Sequence, residues 1–167
     1  MKQFLDMLPD RLTSISPATG RFFIRYGIFM LLTNLAWEIV HLPLYTLWSD
    51  SSWGYLVFVV FHCSAGDLMI AYTTLCIALL LVGNLRDPGR QFHRVLGLTL
   101  LLGIAYTVYS EWLNVYFRHS WAYSDLMPVV PLIETGASPL AQWMLLPLLG
   151  LLWARKKYLD EENANEL

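Results

Sequence analysis

Charge is what this sequence has least of. Only 14% of its 167 residues are Asp, Glu, Lys or Arg, against about 25% in an ordinary soluble domain. That shortage excludes a conventional water-facing surface. The formal net charge is −2, with no basic excess, which excludes a nucleic-acid partner held by charge. Cysteine is scarce too. Cys63 and Cys76 are the only two and lie thirteen residues apart in one apolar block. On a helix that is about 20 Å, beyond the reach of a disulfide within the chain. Also lacking are a Cys-x-x-Cys-His haem-attachment motif, a His-Glu-x-x-His zinc motif, a phosphate-binding glycine loop and a Ser-His-Asp elbow. No internal repeat, low-complexity tract or second domain is visible.

What the chain has instead is hydrophobicity, 56% of residues at a mean hydropathy of +0.47, gathered into long blocks. The first runs from Phe22 to Leu47, the second from Gly54 to Val82, the third from Val95 to Phe117 and the fourth from Pro139 to Trp153. A bilayer core takes about 20 helical residues, and only helices or closed barrels satisfy their backbone within it. The blocks are too long and continuous for barrel strands. They predict an all-α, polytopic membrane protein with four transmembrane helices in a bundle.

Orientation follows from the basic residues. Lys2, Arg11, Arg21 and Arg25 precede span one; Arg86, Arg90 and Arg94 separate spans two and three; Arg155, Lys156 and Lys157 follow span four. Four crossings put all ten on one side, with Arg118 alone opposite, so the positive-inside rule predicts both termini in the cytoplasm. The location expected is the cell inner membrane. Span one carries Glu38 and His41 and no small-residue cleavage site, so it reads as retained rather than as a signal peptide. Residues 1–20, with Phe4, Leu8 and Leu12 four apart, read as an amphipathic segment on the cytoplasmic surface. Residues 21–154 form the membrane domain, and 155–167 a polar cytoplasmic tail.

The polar residues inside the spans fall into register. Asn34, Glu38, His41 and Tyr45 step by four, three and four and share one face of span one. Thr107, Glu111, Asn114 and Arg118 do the same on span three, and Cys63, Asp67 and Thr74 line one face of span two. His62 sits about 100° round from Cys63. Span four contributes Ser138 and Gln142. With the termini inside, His62 lies about 12 Å and Asp67 about 20 Å from the outer end of span two, and the cytoplasmic halves are almost wholly apolar. All four spans then bring their polar groups to one level, in the outer half of the bilayer. The segment 119–137, with Trp121, Tyr123 and two prolines, reads as an interfacial segment folded over the outer mouth.

An ionised side chain at mid-bilayer costs about 2.5–3.5 kcal/mol on insertion scales, so Glu38, Asp67 and Glu111 with His41 and His62 mark a functional centre. Asn34, Asn114, Arg118, Tyr123 and Gln142 are its expected supports. Three chemistries fit. Glu38 and His41 form a Glu-x-x-His pair, the spacing used in carboxylate-bridged di-metal bundles. His62, Asp67 and Glu111 would complete a transition-metal sphere, or His41 and His62 would hold a haem. The alternative is a membrane enzyme using Glu38, Asp67 and Glu111 for acid–base chemistry on a lipid, an isoprenoid or another hydrophobic small molecule. The third is a non-catalytic accessory or structural subunit, in which polar residues only hold helices together at about 0.6 kcal/mol per hydrogen bond.

Several short motifs occur together: Trp37-Glu38 with His41, Pro43 and Tyr45; "HCSAGD" at 62–67; "YSEWLN" at 109–114; "WAY" at 121–123; "MP" at 127–128; and "SPLAQW" at 138–143. In these the chain resembles a group of small bacterial inner-membrane proteins with four spans. The resemblance implies a membrane location and no particular activity.

Overall fold

Ser16 and Pro17 start the first helix. The Ser16 hydroxyl accepts from the Thr19 backbone N–H at 3.0 Å, and Pro17 stands where a missing N–H costs nothing. In the computed structural model of the protein, which describes residues 16–165, this helix, α1, spans Pro17–His41. It tightens into a 3-10 turn at Leu42–Leu44, where Pro43 has no N–H for a further α-helical bond. A single helical turn, Leu47–Asp50, leads to α2, Trp53–Val82, which Ser52 caps. Gln91, in the left-handed region at φ 51°, precedes α3, Phe92–Glu111. That helix continues as a π-helical segment, Trp112–Phe117, and His119, at φ 52°, ends it. A small antiparallel hairpin, β1 Val129–Val130 with β2 Thr135–Gly136, follows. The last helix, α4, spans Ala137–Asn165.

Each expected block falls on one of these helices. Their apolar stretches cover Pro17–Leu44, Trp53–Val82, Phe92–Phe117 and Ala137–Glu161, each long and apolar enough to cross a membrane. The amphipathic stretch expected around Phe4, Leu8 and Leu12 lies outside the described residues. The fourth helix runs well past Trp153. Its polar end packs back on α1, where Arg21 (2.9 Å) and Arg25 bond the Glu161 carboxylate. Arg21 and Arg25 are one helical turn apart and so reach the same partner.

Packing runs round a ring: α1 touches α2 and α4, and α3 touches α2 and α4. The core sits toward the end holding the chain's first described residues. Phe22, Tyr26 and Met30 of α1 meet Leu75 and Leu79 of α2, Val95 of α3 and Leu151 and Ala154 of α4. Outward faces are apolar, with Ile24, Leu32, Val40, Phe61, Met69, Leu80 and Leu101 all exposed. In water such faces would be unsatisfied; in lipid they are the expected surface.

The buried stripe of α1 steps Phe22, Tyr26, Met30, Asn34, Glu38, His41. That of α3 steps Val95, Thr99, Gly103, Thr107, Glu111. On both helices the spacing stays helical while the chemistry changes from apolar to polar along the axis. The polar halves meet at the end where α1 and α3 finish and α2 and α4 begin. Over that end lies the segment after α3, tied down by backbone bonds from Thr46 N–H to the Ala122 carbonyl (3.0 Å) and from Ser124 N–H to the Leu44 carbonyl (2.9 Å).

Candidate functional site

Asn34 anchors the polar cluster from below. Completely buried, it donates through Nδ2 to the Met30 carbonyl at 2.7 Å, which turns its Oδ1 toward α4. There Gln142 Nε2 donates to Asn34 Oδ1 at 2.8 Å and lies 3.0 Å from Asp67 Oδ2 and 3.4 Å from Glu38 Oε1. One amide nitrogen has two hydrogens, so three acceptors compete for them. Two carboxyl groups thus meet at one amide nitrogen, Glu38 from α1 and Asp67 from α2. Trp143 lines the same wall beside Gln142.

The other oxygen of Glu38 meets His41. His41 Nε2 lies 3.2 Å from Glu38 Oε2 and its Nδ1 lies 3.1 Å from Ser138 Oγ. Ser138 also accepts from Trp37 Nε1 at 3.2 Å. The serine hydroxyl has one proton, free to point at Nδ1 of a neutral imidazole. If the ring is protonated, both nitrogens donate, one to Ser138 and one to Glu38. The network therefore accommodates His41 with one ring proton or two.

Glu111 stands apart on α3. Its Oε2 accepts from Tyr123 Oη at 2.6 Å and from Tyr45 Oη at 3.4 Å. Tyr123 comes from the covering segment and in turn accepts from the Gly136 N–H at 3.0 Å, while a β-bridge joins Tyr45 to Tyr123. Burial first, then the hydrogen bond to Glu111, hold the Tyr123 phenol well above the ordinary phenol range. Burial first and the Glu111 charge next do the same for Tyr45. Both phenols stay protonated and remain donors.

These groups line a cavity of about 340 Å³, at the small end of ligand sites, which run about 300–1,000 Å³. Glu38, His41, Asp67, Glu111, Asn114, Arg118 and Gln142 all border it. So does His62, but it is exposed, stacked on Phe58 with centroids 5.4 Å apart, and it belongs to the rim. Asn114 supports the backbone: its amide donates to the Ser110 carbonyl at 2.9 Å. In the wider π turn, backbone N–H groups reach one residue further back, as Arg118 N–H does to Leu113 (2.8 Å). Arg118 is exposed and pairs with none of the three acids, contrary to a simple charge-neutralised network. Tyr45 and Ser138 hold larger parts than their place in the sequence suggests. Trp143 and Trp37 were not among the expected site residues; the adjacency of Trp143 to Gln142 and of Trp37 to Glu38 is the signal that points to them.

The metal centre expected from the Glu-x-x-His pair is not assembled. Among the described residues, no three His, Cys, Asp or Glu side chains are grouped so that they could hold a metal ion. Glu111 is taken up by two phenols on another wall, and His62 faces outward. For a haem, both nitrogens of His41 are already engaged, by Glu38 and by Ser138. The chain matches no protein-family model, no curated protein and no solved structure.

Proposed function

We propose that this chain is a multi-pass protein of the cytoplasmic membrane, a four-helix bundle with both termini inside, whose outer-half cavity performs acid–base chemistry on a hydrophobic small molecule, a lipid or an isoprenoid. The observation that carries the reading is the separation of two kinds of acid across one cavity. On one wall the Glu38 and Asp67 carboxyls converge on Gln142 Nε2, with His41 Nε2 3.2 Å behind Glu38. On another, Glu111 receives two phenol donors on a single oxygen, an arrangement suited to a carboxylate that takes up a proton.

A concrete reaction of this type is migration of a carbon–carbon double bond. The Glu38/Asp67 pair delivers its proton to one alkene carbon, and Glu111 removes a proton from the carbon next to the cation so formed. One C–H bond forms and one breaks, with no change of oxidation state and no co-reactant. The cycle closes when Glu111 gives its proton up to water and His41 passes one from water back to Glu38. Aromatic neighbours, Tyr45, Tyr106 and Trp143 among the lining residues, offer π faces that stabilise a developing cation.

Solvent deuterium tests this directly. Purified protein is incubated in D₂O with a hydrophobic extract of the membrane it came from, and the extract is read by mass spectrometry. One species should gain carbon-bound deuterium with the native protein, while Glu38→Gln, Asp67→Asn and Glu111→Gln each slow the gain at least about 100-fold, the lower end for loss of a general acid or base. If the native protein labels nothing, the acid–base reading is wrong.

A further inference from the structure

We infer that the end of the cavity beneath the covering segment is a head-group subsite for an anionic amphiphile, with Arg118 and the Trp121 indole as its donors. The inference deepens the reading of the cavity as a site for hydrophobic substrates, and rests on it.

The argument is a count of donors and acceptors around one cavity. Each acid already has protein donors. Glu38 has His41 and Gln142, Asp67 has Gln142, and Glu111 has Tyr45 and Tyr123. The spare groups are donors. Arg118 borders the cavity, and among the described residues it has no carboxylate within ion-pair distance and no side-chain hydrogen bond. Trp121 borders it too, and its indole N–H is buried without an acceptor. A buried donor left unanswered is costly, and a ligand oxygen would answer it. Arg118 and Trp121 are three residues apart, on either side of the left-handed turn at His119, so one short piece of chain presents both.

Charge points the same way. Arg118 is the only Lys or Arg between Arg94 and Arg155, and none occurs between Arg25 and Arg86. A single guanidinium at this end of the molecule, on a residue that borders the cavity and is left without a partner, suits an oxyanion that it can grip with two N–H groups.

Size and shape supply the tail. About 340 Å³ accommodates a head and a short reactive stretch, not a whole lipid. The wall between α2 and α3 includes His62 and Tyr106, which border the cavity yet are exposed on the outside of those helices. Gly66, between them and Asp67, has open space where a side chain would begin. A chain held by its head at Arg118 passes the acids and leaves sideways between α2 and α3 into the hydrocarbon.

The test is calorimetric titration of the full-length protein in neutral detergent micelles with four probes: decyl phosphate, decanoate, decanol and inorganic phosphate. Decyl phosphate or decanoate should bind about tenfold more tightly than decanol, equivalent to about 1.4 kcal/mol. Arg118→Gln should erase that difference and Trp121→Phe should reduce it, while decanol binds all three proteins alike. Which of the two anions binds more tightly identifies the head as phosphate or carboxylate. Equal affinity for decanol and the anions, or a preference that survives Arg118→Gln, overturns the subsite, as does the absence of saturable binding by every probe. Inorganic phosphate binding as tightly as decyl phosphate overturns the amphiphile in favour of a soluble anion. Deuterium incorporation is a separate readout: an anion preference lost on Arg118→Gln, with no labelling by the native protein, retains the subsite and removes the chemistry.

Discussion

At the scale of residues, the cavity sets few donors against several acceptors. Gln142 has two amide hydrogens for three acceptors, Asn34, Asp67 and Glu38, so it cannot satisfy all of them together. Glu111 is served by Tyr45 and Tyr123, and the state of those phenols is measurable. An unburied tyrosine ionises near pH 10; burial and the nearby Glu111 place both phenols above that. The neutral form is the one the fold favours, so their contribution to stability is complete below about pH 10 and is lost as the pH rises through the folded values. Near-ultraviolet titration between about pH 9 and pH 11 should therefore give the same ionisation curve for the native protein and for Tyr45→Phe/Tyr123→Phe. A double variant whose ionisation amplitude falls by two tyrosines in that window would show that these phenols titrate normally and are not held by Glu111.

Between elements, close approaches decide where the acids stand. Trp143 packs against α3 where Gly103 offers no side chain. A Cβ on Gly103 would lie 2.6 Å from Trp143 Cε3, closer than packed carbons allow, and the ring is wedged in the core with little room to yield. Gly103→Ala should cost about 1–3 kcal/mol, as overpacking of a core does. Gly97, on the same helix, is exposed and has nothing within 4 Å of an added Cβ, so Gly97→Ala should be neutral or slightly stabilising through helix propensity alone. Thermal unfolding in detergent separates the two. Equal midpoints for both variants would mean that α3 and α4 are not in close contact through Trp143. The π segment after Glu111 acts at the same scale: it ends α3 with Asn114 bonded to the Ser110 carbonyl and leaves Arg118 at the cavity rim.

For the molecule as a whole, the two ends are chemically opposite. One carries the clustered Arg and Lys residues, the Arg21 and Arg25 pairing with Glu161, and the apolar core; the other carries the cavity and the covering segment. The positive-inside rule predicts the basic end in the cytoplasm, which on the proposed reading would set the cavity toward the outer leaflet. A reporter active only in the periplasm, fused after Leu167, should be silent, and the same reporter inserted at Asp50 should be active. Reversed signals would turn the molecule over and place the cavity on the cytoplasmic side.

Four apolar blocks and the helical spacing of their polar residues were enough to predict four long helices and to put Glu38, His41, Asp67 and Glu111 on inward faces, because burial in a helix follows a period that can be counted along the chain. The same period could not say which helices are neighbours. It therefore could not reveal that Gln142 would bridge Asn34, Asp67 and Glu38, that Ser138 would answer His41, or that His62 would turn outward onto Phe58. A ligand set read from residue types gathers Glu38, His41, His62, Asp67 and Glu111 into one sphere. The folded chain separates them, because hydrogen-bond partners from other helices and from the covering segment claim each carboxylate first. Type and spacing belong to a single helix and are legible there; which donor meets which acceptor depends on distances between helices far apart in sequence, and only the tertiary structure decides it.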